Sequence, residues 1–203
     1  RFTNTGSEAV LHALHIARFA TGKEKIAKCE GSYHGWVDET FVNVFHDISK
    51  AGSLDNIITV PSTAGLHKNA IDDICVFPFN DTTRTKKVIE ENSENLAAVI
   101  LEPIMIDIGF VPAKKEYLEN IREMCSDLNI LLIYDEVLTS FRVAPGGAQE
   151  FYTITPDLGI YGKALANGYP LAAISGKEQY MRMTEPGKGP AFVGTFNGHI
   201  VPI

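Results

Sequence analysis

Apolar residues recur at Val10, Leu11, Leu14 and Ala17, the three-and-four spacing of a helix with one buried stripe, and Gly22 supplies a stop. The pattern predicts a helix over residues 7–21, followed by a short strand over 25–29. Residues 82–93 read as a helix with a polar face, and 97–101 as an unbroken apolar run suited to a strand covered on both sides. Tyr117, Leu118, Ile121, Met124, Cys125 and Leu128 form the next amphipathic stripe. A second buried strand follows at once over 130–134, and shorter ones over 158–161 and 171–175. Buried strands alternating with amphipathic helices predict an α/β domain on a largely parallel sheet. The connection from 35 to 81, broken by Gly52, Pro61, Gly65 and Pro78, reads as long and irregular, the kind of loop that is functional or mobile. The sequence holds no internal repeat and no low-complexity segment.

A length of 203 residues suits one substantial domain, or at most two small ones. With 18 basic and 25 acidic residues the net charge is −7, which argues against a general nucleic-acid or anionic-membrane surface. A small anion can still bind in a locally positive pocket. Cys29, Cys75 and Cys125 show neither metal spacing nor a disulfide framework, and read as reduced, mostly buried thiols. The most apolar stretch, residues 96–112, is interrupted by Glu102, Pro103 and Asp107 and makes a poor membrane span. With no signal peptide opening the chain, the expected setting is cytoplasmic. The chain begins without methionine at Arg1 and stops at Ile203 with no closing element, so it is expected to be an internal piece of a longer protein.

Ligands of parallel α/β sheets sit at strand carboxyl ends and helix amino ends, which directs attention to four short runs. Thr5-Gly6-Ser7-Glu8 can grip a phosphate through free N–H groups and the Ser7 hydroxyl, while taken alone it reads as a helix cap. Asp135-Glu136 follows an apolar strand and suits either a carboxylate facing a ring nitrogen or metal, or a solvated or capping acidic pair. Lys163, beside Gly162 after a strand, can form a Schiff base in a cleft or be an ordinary surface lysine. Tyr33-His34-Gly35 can offer an aromatic face to a planar ligand or form the edge of the core.

Together these runs suit one ligand, and they resemble those of class III pyridoxal-phosphate aminotransferases, particularly the branch containing glutamate-1-semialdehyde aminomutase. The resemblance rests on Asn4-Thr5-Gly6-Ser7-Glu8-Ala9, Glu30-Gly31-Ser32-Tyr33-His34-Gly35 and Leu101-Glu102-Pro103. It continues through residues 134–142, Thr155-Pro156-Asp157-Leu158, Gly162-Lys163 and Gly194-Thr195-Phe196-Asn197-Gly198-His199, in family order over almost the whole chain.

The resemblance implies the fold-type-I architecture of aspartate aminotransferase: a mostly parallel sheet flanked by helices, with residues 1–203 as the large, cofactor-binding domain. It implies that an amino-terminal segment and a carboxyl-terminal small domain are lacking. Pyridoxal 5'-phosphate (PLP) is the implied cofactor, held as a Schiff base by Lys163. Gly6 and Ser7 would bind its phosphate, Tyr33 and Val137 would cover the two ring faces, and Asp135 would pair with the ring nitrogen. Thr195 would reach the phosphate of a partner subunit, giving a homodimer with shared sites, and Glu102 would support the site indirectly. The expected activity is amino transfer between a small-molecule amino donor and a carbonyl acceptor, a keto acid or aldehyde. An intramolecular amino shift and a non-catalytic, cofactor-binding fragment are the alternatives. Ser140 stands in place of a glycine, Asp107 in place of an asparagine, and Asn167-Gly168-Tyr169-Pro170 in place of a more glycine-rich stretch. The resemblance therefore does not carry over substrate identity.

Overall fold

Residues 96–101 and 131–136 are buried at every position, as strands packed on both faces must be. Around them the computed structural model, which describes residues 1–201, places an ordered series of elements. These begin with β1 (Phe2–Thr3), α1 (Gly6–Thr21), β2 (Lys25–Cys29), β3 (Gly52–Ser53), β4 (Asn56–Ile57), α2 (Lys68–Asp72), β5 (Ile74–Phe77) and α3 (Thr82–Asn92). They continue as β6 (Leu96–Leu101), β7 (Ile104–Met105), β8 (Val111–Pro112), α4 (Lys115–Asp127) and β9 (Leu131–Glu136). The last are α5 (Gly147–Tyr152), β10 (Leu158–Tyr161), β11 (Ala172–Gly176) and α6 (Glu178–Met181).

Seven strands form the main sheet in the order β1-β11-β10-β9-β6-β2-β5. The pairs from β10 through to β5 are all parallel, while β11 runs antiparallel to both of its neighbours. Alternate side chains feed two cores. Ala98, Ile100, Leu131 and Ile133 pack with Ala13 and Leu14 of α1 on one face. On the other, Val99, Leu101, Leu132 and Tyr134 pack with Ile89 of α3 and with Leu118 and Ile121 of α4. Each fully buried Leu or Ile contributes roughly 1.5–3 kcal/mol, whereas the exposed Lys115–Glu119 pair on α4 adds little. Burial of one stripe, not surface charge, holds these helices down.

Several details differ from the sequence reading. The connection 35–81 contains the β3–β4 hairpin, α2 and the edge strand β5, which pairs in parallel with β2. The four residues of β5 lie between Asp73 and Pro78, inside a connection otherwise broken by glycine and proline. β1 and the six-residue α5 escaped because runs so short show no period. β9 runs on through Asp135 and Glu136 instead of ending before them.

Asp157 explains why its run matters to the fold. It sits just before β10 and accepts the Leu132 N–H of β9 at 2.8 Å. It also pairs with Arg122 of α4 at 2.8 Å and with Lys177, after β11, at 2.6 Å. Burial alone would push this carboxyl up, but Lys177, the Leu132 N–H and Arg122 together hold it below the ordinary value. One side chain thus ties three strands and a helix at the sheet's other end, away from the carboxyl ends of β9 and β10. The three cysteines are free, and among the described residues no helix is long and apolar enough to cross a membrane.

Candidate active site

The carboxyl ends of the parallel strands and the amino end of α1 meet at a cavity of about 560 Å³, where loop ends and helix dipoles converge in such sheets. Gly6, Ser7, Tyr33, Asp135, Val137 and Lys163 all line it. Thr195 does not. It is exposed on the segment after α6, outside this chain's own cavity.

At the first turn of α1 the Thr5 hydroxyl accepts the Glu8 N–H at 3.2 Å, and Glu8 reaches back to the Asn4 N–H at 2.7 Å. The cap is therefore real, but it uses Thr5 and Glu8 and leaves the Gly6 and Ser7 N–H groups, which no helix can satisfy internally. They stand at the positive end of a 16-residue helix, a ready anion site. Gly35 approaches this turn with φ +81°, and a side chain there would overlap Ser7. Close approach and a left-handed backbone both require glycine. Val137 is wedged between two more glycines, since a Cβ on Gly6 would lie 3.0 Å, and one on Gly162 3.2 Å, from its methyl groups.

Asp135 and Glu136 are consecutive on one strand and so face opposite ways. Asp135 points into the cavity, where its Oδ2 lies 2.9 Å from His34 Nδ1 and its Oδ1 accepts the Val137 N–H at 3.1 Å. Glu136 is wholly buried on the other side, accepting the Thr139 hydroxyl, the Ala148 N–H and the Gln149 side chain. Burial pushes His34 below the ordinary imidazole value, and the hydrogen bond to Asp135 opposes this. A neutral ring facing a carboxylate must carry its proton on Nδ1, which leaves Nε2 as a bare acceptor. Nε2 is indeed buried with no partner among the described residues.

Tyr33 stands at the cavity wall with its ring edge-on to Phe41 at 6.1 Å. Burial first, then the charges of Asp107 and Asp135, push its phenol up. Its N–H is accepted by Glu102 at 3.0 Å. Glu102 follows directly on β6 with its carboxyl in the same cavity, and burial followed by repulsion from Asp135 raises it to about 8. Lys163 opens a short 3₁₀ turn after Gly162, with φ +43°. A non-glycine residue in this region costs of order 1 kcal/mol and persists where the surroundings impose it, often at functional sites.

The fold thus gathers seven of the eight expected residues, Glu102 among them, from positions 6 to 163. His34 was passed over because its partner lies 101 residues away in the sequence. The only local hint was a histidine between a tyrosine and a glycine.

Comparison with known proteins identifies the family and the fold. Residues 1–202 match the family model described as aminotransferase class-III. A glutamate-1-semialdehyde 2,1-aminomutase of Methanococcus maripaludis is 41% identical over the whole chain, which covers 46% of that protein. An omega-transaminase structure from Sphaerobacter thermophilus superposes with a TM-score of 0.91 at 37% identity, covering 98% of this chain and 45% of that one. A transaminase solved with PLP bound gives 0.87 at 34% identity, covering 97% and 45%. The chain spans about half the length of the curated relatives it matches. By its family match and its identity to these relatives, the chain belongs to the class III aminotransferase family.

Proposed function

We propose that the protein binds pyridoxal 5'-phosphate and moves an amino group between an amino compound and a keto acid or aldehyde. The observation that carries this is one cavity presenting a lysine, a buried aspartate and the free amino end of a helix. The residues fit the cofactor: Gly35 packs too closely on Ser7 for any side chain, which leaves bare backbone beside the helix end, and among the described residues Asp135 pairs with neither lysine nor arginine. Its volume lies in the usual range for small-molecule sites.

Gly6 and Ser7 hold the phosphate at the positive end of α1. Tyr33 and Val137 cover the ring faces. Asp135, oriented by the His34 Nδ1–H, keeps the ring nitrogen protonated by charge. Bound in this way, the cofactor supplies an electron-withdrawing ring that stabilises negative charge at the substrate carbon. The Lys163 Nζ would hold the cofactor and, as a free amine, would move a proton at the substrate carbon. A single turnover with an amino donor and no acceptor tests the reading. A transferase releases a stoichiometric carbonyl product and keeps the nitrogen. An aminomutase, the reading favoured by the names of the 41%-identical relatives, returns a rearranged amino product. Loaded protein that yields neither refutes both.

The working unit is a homodimer, in the reducing cytoplasm, with Thr195 completing the partner's phosphate site. Supporting this, Thr195 is exposed beside an apolar hollow of about 380 Å³ formed by Tyr169, Pro170, Phe196, His199 and Val201 with Asn4. Mixing Lys163→Ala subunits with Thr195→Ala subunits, each nearly inactive as a homodimer, is expected to restore up to about a quarter of activity through hybrids carrying one intact site. A fully active monomer by light scattering would rule the arrangement out.

A further inference from the structure

The wall of the cavity that carries Tyr33 has no regular secondary structure, yet its backbone is fixed from beneath by one side chain. Lys28, on β2, is 0% exposed. Its Nζ donates to the carbonyls of Ser32 at 2.8 Å, Thr40 at 3.1 Å and Val42 at 2.5 Å. An ammonium has three donors and no acceptor, and all three donors are used. Every acceptor belongs to residues 32–42, so a single group closes that stretch into a loop. The loop carries Tyr33, His34 and Gly35, which supply the ring wall, the partner of Asp135 and the close approach to Ser7.

Such a charge is a costly way to fill space. Among the described residues Lys28 forms no ion pair: Glu30 is taken by Asn43 and His46, and Glu102 by the Tyr33 and Ile106 N–H groups. Burial pushes the ammonium down to about 7, against the favourable charges of Cys29, Glu30 and Glu102. A methionine would occupy the same volume without that penalty. It would also leave three carbonyls of an irregular segment without donors, and buried backbone acceptors are seldom left so. The geometry suits the charged form, because only an ammonium meets all three.

We infer that Lys28 is a positioning residue that sets the Tyr33 ring and the His34–Asp135 pair by tying the loop between them to β2. It does not line the cavity and acts through the backbone alone. What the wall does rests on the proposed function; the tie itself does not.

The test uses the complete, cofactor-free protein labelled with ¹⁵N-histidine. The His34 Nδ1–H, donated to Asp135, gives a downfield proton resonance that reports the geometry without cofactor or turnover. Lys28→Met is expected to keep its far-UV circular dichroism, lose or broaden this resonance, and bind pyridoxal 5'-phosphate about tenfold more weakly. Lys25→Met, which removes a lysine at the other end of β2 that bonds Asn92 at 2.8 Å, should change neither. An unchanged resonance in Lys28→Met overturns the inference. Loss of the resonance with unchanged affinity upholds the tie and counts instead against pyridoxal phosphate as the occupant. If Lys28→Met does not fold, hydrogen exchange of the unmutated protein decides. Amides of residues 32–42 opening as one unit support the tie, and independent opening residue by residue refutes it.

Discussion

Replacing Lys163 by alanine is expected to abolish covalent capture of pyridoxal phosphate and to lower turnover by at least about 10²–10⁴-fold, the range for loss of a positioned proton carrier. Lys163 is the only lysine lining the cavity among the described residues, and its strained φ of +43° holds it at the end of β10. Lys28, outside the cavity lining, cannot substitute because its Nζ is fully engaged by three carbonyls. The Gly6 and Ser7 N–H groups, Tyr33, Val137 and Asp135 are untouched, so cofactor should still bind, but dissociably. Borohydride reduction of the loaded, unmutated protein followed by peptide mapping makes the claim specific. Label on any other lysine, or normal turnover by the alanine variant, would refute the assignment.

For Asp135→Asn the expected result is near-normal folding, retained cofactor and turnover lowered by about 10²–10³-fold, the size of loss when one preorganised electrostatic partner is removed. The amide has nearly the carboxylate's shape. His34 can meet it in either orientation, because a neutral imidazole can move its proton between Nδ1 and Nε2 and switch from donor to acceptor. Local bonding therefore survives, whereas the negative charge that favours a protonated ring nitrogen does not. Circular dichroism and cofactor absorbance should match the unmutated protein while single-turnover rates fall. Equal rates in the two proteins would remove Asp135 from the ring-nitrogen role.

The parts of this fold legible in the sequence were those whose burial left a period. The stripe Val10, Leu14, Ala17 placed α1, and the unbroken runs at 97–101 and 130–134 placed the central strands, because both faces of the sheet are covered. β1, of two residues, is too short to carry a pattern, and β5 lies inside the long irregular connection and takes its place by pairing with β2. The same divide holds in the site. Gly6, Ser7, Asp135 and Lys163 could be singled out as residues at element ends. The pairing of His34 with Asp135, the elevation of Glu102 and the three carbonyls around Lys28 are contacts made only by tertiary packing. Lys28 read as one more charge in a short strand, and nothing nearby in the sequence marks it as buried.

The pairing of β1 with β11 also bears on how the protein is made. Phe2 lies opposite Ala173 and Thr3 opposite Ala172, and Gly6 and Ser7 follow β1 directly. The helix end proposed to hold the cofactor phosphate is therefore anchored by a strand whose partner is synthesised some 170 residues later. At about 5–20 residues per second, the ribosome leaves that end without its neighbour for roughly 10–30 s. Pairing over such a span is slow, since loop closure precedes any reward from contact. Until β11 is in place, the nascent chain lacks the strand that anchors this end of α1. A ligand that binds only the finished sheet stabilises it by mass action, about 2.7 kcal/mol at a concentration of 100 Kd. Bound at the proposed site, the cofactor would add that stabilisation to the finished sheet and none to the nascent chain.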